Sequence, residues 1–345
     1  MRIRALLTAS FAVSTAVPSG GPPAVPPAVS TAAPSAVLPV RSSRRRFAAP
    51  VAAVLLASAA GCTSGDGEVA QSVRAESSFG AKPAITFPEG EPPVNLQVGE
   101  QMTGTGNVIE ANDLVVAHYT AHVWDGEDNR LLASSFNQGA PASFPLSQSI
   151  TGVSKALRGH RVGSRVVAAI PPGEGYGPNP PGGMTAGDAL FYVIDVLGAF
   201  SPGAAATGAG GPGELAGVRV TGGPGERPAL TLPKAGPPAG FRAEILVHGK
   251  GAKVKPGQLV VTQYEGRVWG AATSFESTWA AGRPKSFTIG NGSVIKGWDR
   301  ALTGVPVGSR VVMVLPPGLG YDKGLPPLIK PADTLVFVVD VLAAY

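Results

Sequence analysis

The sequence predicts an α+β chain of two tandem domains, each an antiparallel sheet wrapped around one short helix. Three observations predict it. Motifs recur at one fixed displacement over more than a hundred residues. Each copy carries several short alternating strands and a single helical stripe. Charge and composition set a leader apart from the rest of the chain.

The repeat holds a single register. Pro83-Ala84-Ile85-Thr86-Phe87-Pro88 returns 145 residues later as Pro228-Ala229-Leu230-Thr231-Leu232-Pro233. At the same displacement Val115-Val116-Ala117-His118-Tyr119 returns as Val260-Val261-Thr262-Gln263-Tyr264, and Val162-Gly163-Ser164-Arg165 as Val307-Gly308-Ser309-Arg310. Tyr176 maps to Tyr321, and Asp195-Val196-Leu197 to Asp340-Val341-Leu342. So long a period marks a pair of globular units and not a solenoid of short repeats. The 345 residues suit two to three domains, and a repeat of roughly 115 residues can bury its own core.

Residues 1–61 form the leader. They hold six basic residues (Arg2, Arg4, Arg41, Arg44, Arg45, Arg46) and no Asp or Glu. Elsewhere 22 basic residues face 23 acidic ones, so the net charge of +5 comes from the leader. No basic surface points to nucleic acid. Arg41-Ser42-Ser43-Arg44-Arg45-Arg46 precedes an apolar run from Phe47 to Ala60 and then Gly61-Cys62, the pattern of a secretory signal. The apolar run is too short for a permanent membrane helix. Ala59-Ala60-Gly61-Cys62 resembles the lipobox of bacterial lipoproteins, with Ala59 where a larger aliphatic usually stands. The resemblance implies lipidation at Cys62 and an extracytoplasmic protein held to the cell membrane, or otherwise a secreted one. Two acyl chains suffice for anchoring, each buried methylene contributing ~0.8 kcal/mol. Residues 1–39 are low-complexity Ala, Pro and Ser ahead of the basic stretch, and initiation is expected at Val40.

Cys62 is the sole cysteine, which excludes a disulfide framework and a cysteine-ligated zinc site. The four histidines (His118, His122, His160, His248) show no metal-binding spacing. On a strand His118 and His122 would lie about 13 Å apart. Neither a metal nor a cofactor is expected.

Residues 62–82 read as a tether, 83–200 as repeat one, 201–225 as a Gly/Pro-rich linker without periodic pattern, and 226–345 as repeat two. In repeat two, Gln258 to Val268 alternates as a strand, and Ser286 to Ile289 is a second, short one. Val294 to Thr303 sets Ile295, Trp298 and Leu302 on one helical face. Val311 to Leu315 is a strand stopped by Pro316-Pro317. Thr334 to Leu342 is the last strand. Many strands around one short helix give the α+β assignment.

Motifs within these elements resemble one family. Val261-Thr262-Gln263-Tyr264-Glu265-Gly266, Ser274-Phe275-Glu276-Ser277-Thr278-Trp279, Val294-Ile295-Lys296-Gly297-Trp298-Asp299, Gly320-Tyr321-Asp322 and Pro331-Ala332-Asp333-Thr334-Leu335-Val336-Phe337 are together similar to the FKBP-type peptidyl-prolyl isomerases, the family inhibited by the macrolides FK506 and rapamycin. The resemblance implies two FKBP-like domains and an apolar pocket for proline-containing peptide segments of exported proteins, with macrolide binding a possibility. Trp298 would be the floor. Tyr264, Phe275, Phe287, Val294, Ile295 and Phe337 would be walls, with Ile329 above. Tyr264, Glu276 and Tyr321 would be the catalytic set, Tyr321 donating its hydroxyl to the substrate carbonyl.

Such chemistry needs no nucleophile or metal. Rotation about a peptide bond is opposed by ~18–20 kcal/mol of lost resonance, and X-Pro bonds exchange over tens of seconds or longer. A twisted amide is less polar than a planar one, so a pocket that strips water from the carbonyl favours rotation. Two departures stand out: Glu276 replaces the family's Asp, and Lys285 stands where many members carry an aromatic, which points to a more open, polar rim. Repeat one keeps Tyr119, Ile150, Tyr176 and Tyr192 at the positions of Tyr264, Ile295, Tyr321 and Phe337. It replaces Phe275 by Leu132, Glu276 by Ala133, Val294 by Ser149 and Trp298 by Val153. Its expected role is holding or structural. The reading for the whole chain is isomerase; the alternative is a non-catalytic peptide-binding or chaperone module on the same fold.

Overall fold

The computed structural model describes residues 74–87, 91–124, 129–178, 180 and 183–345. Cys62, Val40 and the rest of the leader lie outside them. Two compact units divide the chain, meeting in sequence at Ser201 and Pro202.

In the first unit, β1 (Arg74–Glu76) and β2 (Ala84–Thr86) form a hairpin. There follow β3 (Gln97–Met102), β4 (Leu114–Trp124), β5 (Leu131–Ser134), a one-turn helix α1 (Ser135–Gln138), β6 (Ala142–Pro145), α2 (Thr151–Leu157), β7 (Arg165–Ile170) and β8 (Ala189–Phe200). The antiparallel sheet has the order β3-β7-β8-β4-β5, with β6 also paired to β4. In the second unit, β9 (Ala209–Gly210), β10 (Gly213–Leu215), β11 (Val218–Thr221) and β12 (Ala229–Thr231) precede β13 (Arg242–His248), β14 (Leu259–Val268), β15 (Glu276–Ser277) and β16 (Lys285–Thr288). Then come α3 (Lys296–Leu302), β17 (Arg310–Leu315) and β18 (Leu335–Ala344). The sheet order is β15-β14-β18-β17-β13-β9, with β16 paired to β14. Each unit is thus an antiparallel sheet with few helices, as the α+β reading expects.

Strand alternation gives each sheet two apolar faces. In β17, Val311, Met313 and Leu315 join the core around α3, while Val312 and Val314 belong to a second cluster on the opposite face. β18 does the same with Leu335, Phe337 and Val339 inward against Val336 and Val338 outward. α3 sits close to β17 because position 297 is glycine: a Cβ there would lie 2.5 Å from both Leu315 methyls. Gly152 plays the same part in repeat one, where a Cβ would meet Ile170 Cγ2.

The outer face corrects the expected boundaries. Residues 201–225 carry three strands, β9, β10 and β11. Val218 and Val220 are fully buried between exposed Arg219 and Thr221, and they pack with Leu230 against Val312, Val314, Val336 and Val338. The alternation is only four residues long and sits among glycines, so composition masked it. Repeat one has the matching hairpin β1–β2, which begins inside the expected tether, and Ile85 and Phe87 pack against Val167, Phe191 and Val193.

A buried ion pair fastens each hairpin. Arg310 and Asp340, both fully buried, face each other across β17 and β18, and the guanidinium donates to the backbone oxygens of Gly222 and Glu226. Arg165 pairs with Asp195 and donates to the oxygens of Ser77, Ser78 and Ala81. Asp195 also accepts from Gly80 N at 2.6 Å, as Asp340 does from Ala206 N at 2.9 Å.

Candidate functional site

The pocket of repeat two is assembled around Trp298, which α3 places on its sheet-facing side and which is 4% exposed. Gly297 N donates to Leu319 O at 2.8 Å, tying the start of the helix to the loop that carries Tyr321. Asp299 accepts from Gly290 N and Gly292 N at 2.6 and 2.9 Å, holding the loop ahead of the helix. Tyr264 meets the indole edge-to-face, with centroids 4.9 Å apart. Phe287 lies 5.3 Å and Phe337 5.5 Å from it, both steeply inclined. Phe275 packs on Phe337 at 5.6 Å. Edge-to-face pairs of this kind add ~0.5–1.5 kcal/mol each beyond area burial. Val294, Ile295, Tyr321 and Ile329 pack against the same cluster.

The structure therefore brings together nine of the sequence-expected residues, and Glu276 stands beside two of them. Burial, and then the charge and hydrogen bonding of Glu276, push the Tyr264 hydroxyl far above the ordinary tyrosine range. Burial followed by the Glu276 charge pushes Tyr321 up to about 12. Both phenols therefore stay protonated at neutral pH and remain donors. Lys285 does not open the rim as a free cation: its Nζ lies 2.5 Å from Glu276 Oε1.

Two residues within the quoted motifs have supporting roles that the sequence reading did not assign. Thr278 accepts from Tyr264 N at 2.8 Å and donates to Tyr264 O at 3.2 Å, fixing the tyrosine's backbone. Ser135 makes the same contacts with Tyr119 in repeat one, and a hydroxyl residue at that place in both copies is the signal the sequence offered. Gly266 is the second. A Cβ there would lie 2.6 Å from Phe275 Cζ and 2.7 Å from Phe337 Cε1, so glycine admits both rings.

Strand register fixes what repeat one has in these places. Ala133 faces Ala121 as Glu276 faces Gly266, and Ala142 faces Ala117 as Lys285 faces Thr262. Val153, fully buried, occupies the Trp298 position in α2. Tyr119 and Tyr192 stack there with centroids 6.2 Å apart. Burial raises all three tyrosines of this site, Tyr176 to about 12.

An antiparallel sheet around a short helix, with aromatic side chains closing on one apolar pocket, defines a class of protein with a candidate binding site for an apolar segment. Among the described residues no cluster of His, Cys, Asp or Glu is arranged to hold a metal ion. The family model for FKBP-type peptidyl-prolyl cis-trans isomerase matches the chain twice, over residues 106–197 and 250–342. The chain belongs to that family.

Curated relatives agree. An FK506-binding protein of Streptomyces anulatus is 35% identical over 120 residues, 34% of this chain and 97% of that protein. FK506-binding protein 1 of Debaryomyces hansenii is 41% identical over 107 residues, 30% of this chain and 95% of that protein. The peptidyl-prolyl cis-trans isomerase FPR2 of Saccharomyces cerevisiae is 37% identical over 91 residues, 26% of this chain and 67% of that protein. Both hairpins, β1–β2 and β11–β12, lie outside the matched segments.

Proposed function

We propose that the chain is a lipid-anchored, extracytoplasmic isomerase that turns X-Pro bonds of exported proteins, with turnover carried by repeat two. The observation that carries the assignment is the edge-to-face ring box around Trp298, set against Val153 in the same place of repeat one. The box excludes water from a bound amide, which favours the less polar twisted state. Tyr321, held protonated by burial, donates to the carbonyl as conjugation is lost. Glu276 steadies the Tyr264 hydroxyl at the wall. Ring faces of this kind also suit a macrolide of the FK506 type, the ligand in the names of several relatives. Repeat one, with Val153 and Ala133, holds client segments and does not turn them over.

A protease-coupled assay on a proline-containing peptide tests the assignment, using residues 74–201 and 202–345 as separate proteins. Activity is expected in 202–345 and at most a trace in 74–201; equal activity overturns it. The anchor rests on the basic stretch, apolar run and Cys62 of the leader. Mass spectrometry of the membrane fraction is expected to find a lipidated N-terminal Cys62 peptide. A soluble, unmodified Cys62 overturns the anchor, and a peptide from residues 1–39 overturns initiation at Val40.

A further inference from the structure

The rim of repeat two carries an ion pair of which repeat one has neither member. Lys285 and Glu276 lie on β16 and β15, which pair with the same edge of β14, opposite Thr262 and Gly266. Tyr264 sits midway between those two positions on β14. Residues at i, i+2 and i+4 of a strand share a face, so ammonium, phenol and carboxylate are set in a row along one side of the sheet. The Lys285 Nζ to Glu276 Oε1 distance is 2.5 Å, and the side chains keep 40% and 35% of their exposure. The same register places Ala142 and Ala133 in repeat one. The two charges stand together in one copy and both positions are alanine in the other, and removing either charge alone would leave the other without its counter-ion at the pocket mouth.

We infer that Lys285 is a positioning residue of the isomerase site: it pins the Glu276 carboxylate so that this longer acid holds the Tyr264 hydroxyl at the pocket wall. Glutamate has one more rotatable bond than aspartate, and an exposed carboxylate on a free arm would sample several rotamers. The lysine selects one of them. This inference rests on the assignment of turnover to repeat two.

The test is a double-mutant cycle in the full chain, read as kcat/KM on an uncharged proline peptide. Lys285→Met keeps the aliphatic stem and removes the charge, and a fall of about fivefold is expected, the scale of one misplaced hydrogen bond. Lys285→Arg should return activity to within about twofold, because the guanidinium also pairs with a carboxylate. In a Glu276→Gln background, Lys285→Met should change nothing further, since effects that act through one group do not add. An active wild type with Lys285→Met unchanged overturns this inference alone, as does full additivity of the two substitutions. An inactive wild type overturns the functional reading of the site and this inference with it. Thermal unfolding should be nearly the same for wild type and Lys285→Met, because half-exposed pairs contribute little to stability. Should the Met variant not fold, Lys285→Gln takes its place in the cycle.

Discussion

Tyr321 and His122 are two partly buried titratable side chains put to different ends. The Tyr321 hydroxyl keeps its proton through the neutral range, with burial and Glu276 raising it to about 12. Tyr321→Phe removes that donor and leaves the ring to pack. A hydrogen bond favouring the twisted amide by ~1 kcal/mol corresponds to a fall in kcat/KM of roughly fivefold, with unchanged circular dichroism. Full activity in the folded variant would leave catalysis to apolar desolvation alone. His122 stands on β4 of repeat one, edge-on to Phe87 with centroids 5.2 Å apart. Burial, and then the charge of Lys82, lower its pKa from 6.5 to about 4. The sign follows from linkage: between those values the unfolded chain takes up a proton that the folded chain refuses. Stability from this group is complete above about pH 6.5, falls as pH drops through the window, and levels off below about pH 4. His122→Leu should flatten that part of the curve of unfolding temperature against pH for residues 74–201. Parallel curves for wild type and variant would refute the assignment.

At the scale of elements, the added hairpin matters most. β11–β12 covers Val312, Val314, Val336 and Val338, and its turn supplies the Gly222 and Glu226 oxygens to Arg310. A fragment beginning at residue 226 lacks β11, bares that apolar face and strands part of a buried guanidinium. It should unfold at lower temperature and bind more hydrophobic dye than 202–345, and Arg310→Met in the full chain should cost ~3–5 kcal/mol by leaving Asp340 buried and unpaired. Equal stability of the two fragments would show the hairpin to be dispensable. The same elements show what the sequence could and could not reveal. β14, β17, β18 and α3 were legible because their apolar patterns run for five residues or more, or are anchored by Trp298. Their observed bounds differ from the expected ones by a residue or two. β11 was not, because two valines among glycines carry too little periodicity. β13 was missed because Arg242, Ala243 and Glu244 lead it and are all exposed. Most of the apolar pocket residues could be named because they belong to spaced motifs; Phe287 and Ile329 lie outside the motifs and followed from the family resemblance alone. The Lys285–Glu276 contact could not, because it depends on two strands pairing with the same edge of β14.

For the whole molecule, the two repeats share one scaffold and differ in the residues of the site. Both keep the scaffold: the glycine under the helix, the buried Arg–Asp pair, the hairpin and the hydroxyl that fixes the first tyrosine. Only the second keeps the indole floor, the acid and its lysine. Under the proposed assignment, repeat one serves through its fold and turnover belongs to repeat two. The consequence is measurable in the intact chain. Trp298→Leu removes the ring faces that exclude water while preserving an apolar side chain, and it should lower kcat/KM by about tenfold or more, equivalent to ~1.4 kcal/mol of barrier or above. Tyr176→Phe, the corresponding change to Tyr321→Phe but in repeat one, should leave peptide turnover within about twofold of wild type, since that copy has no floor on which to seat a proline. Val153→Trp should not convert repeat one into an enzyme, because Val153 is fully buried and an indole would overpack the core. A loss of half or more of the turnover on Tyr176→Phe would show that both repeats work, and that the tyrosine wall matters more than the indole floor.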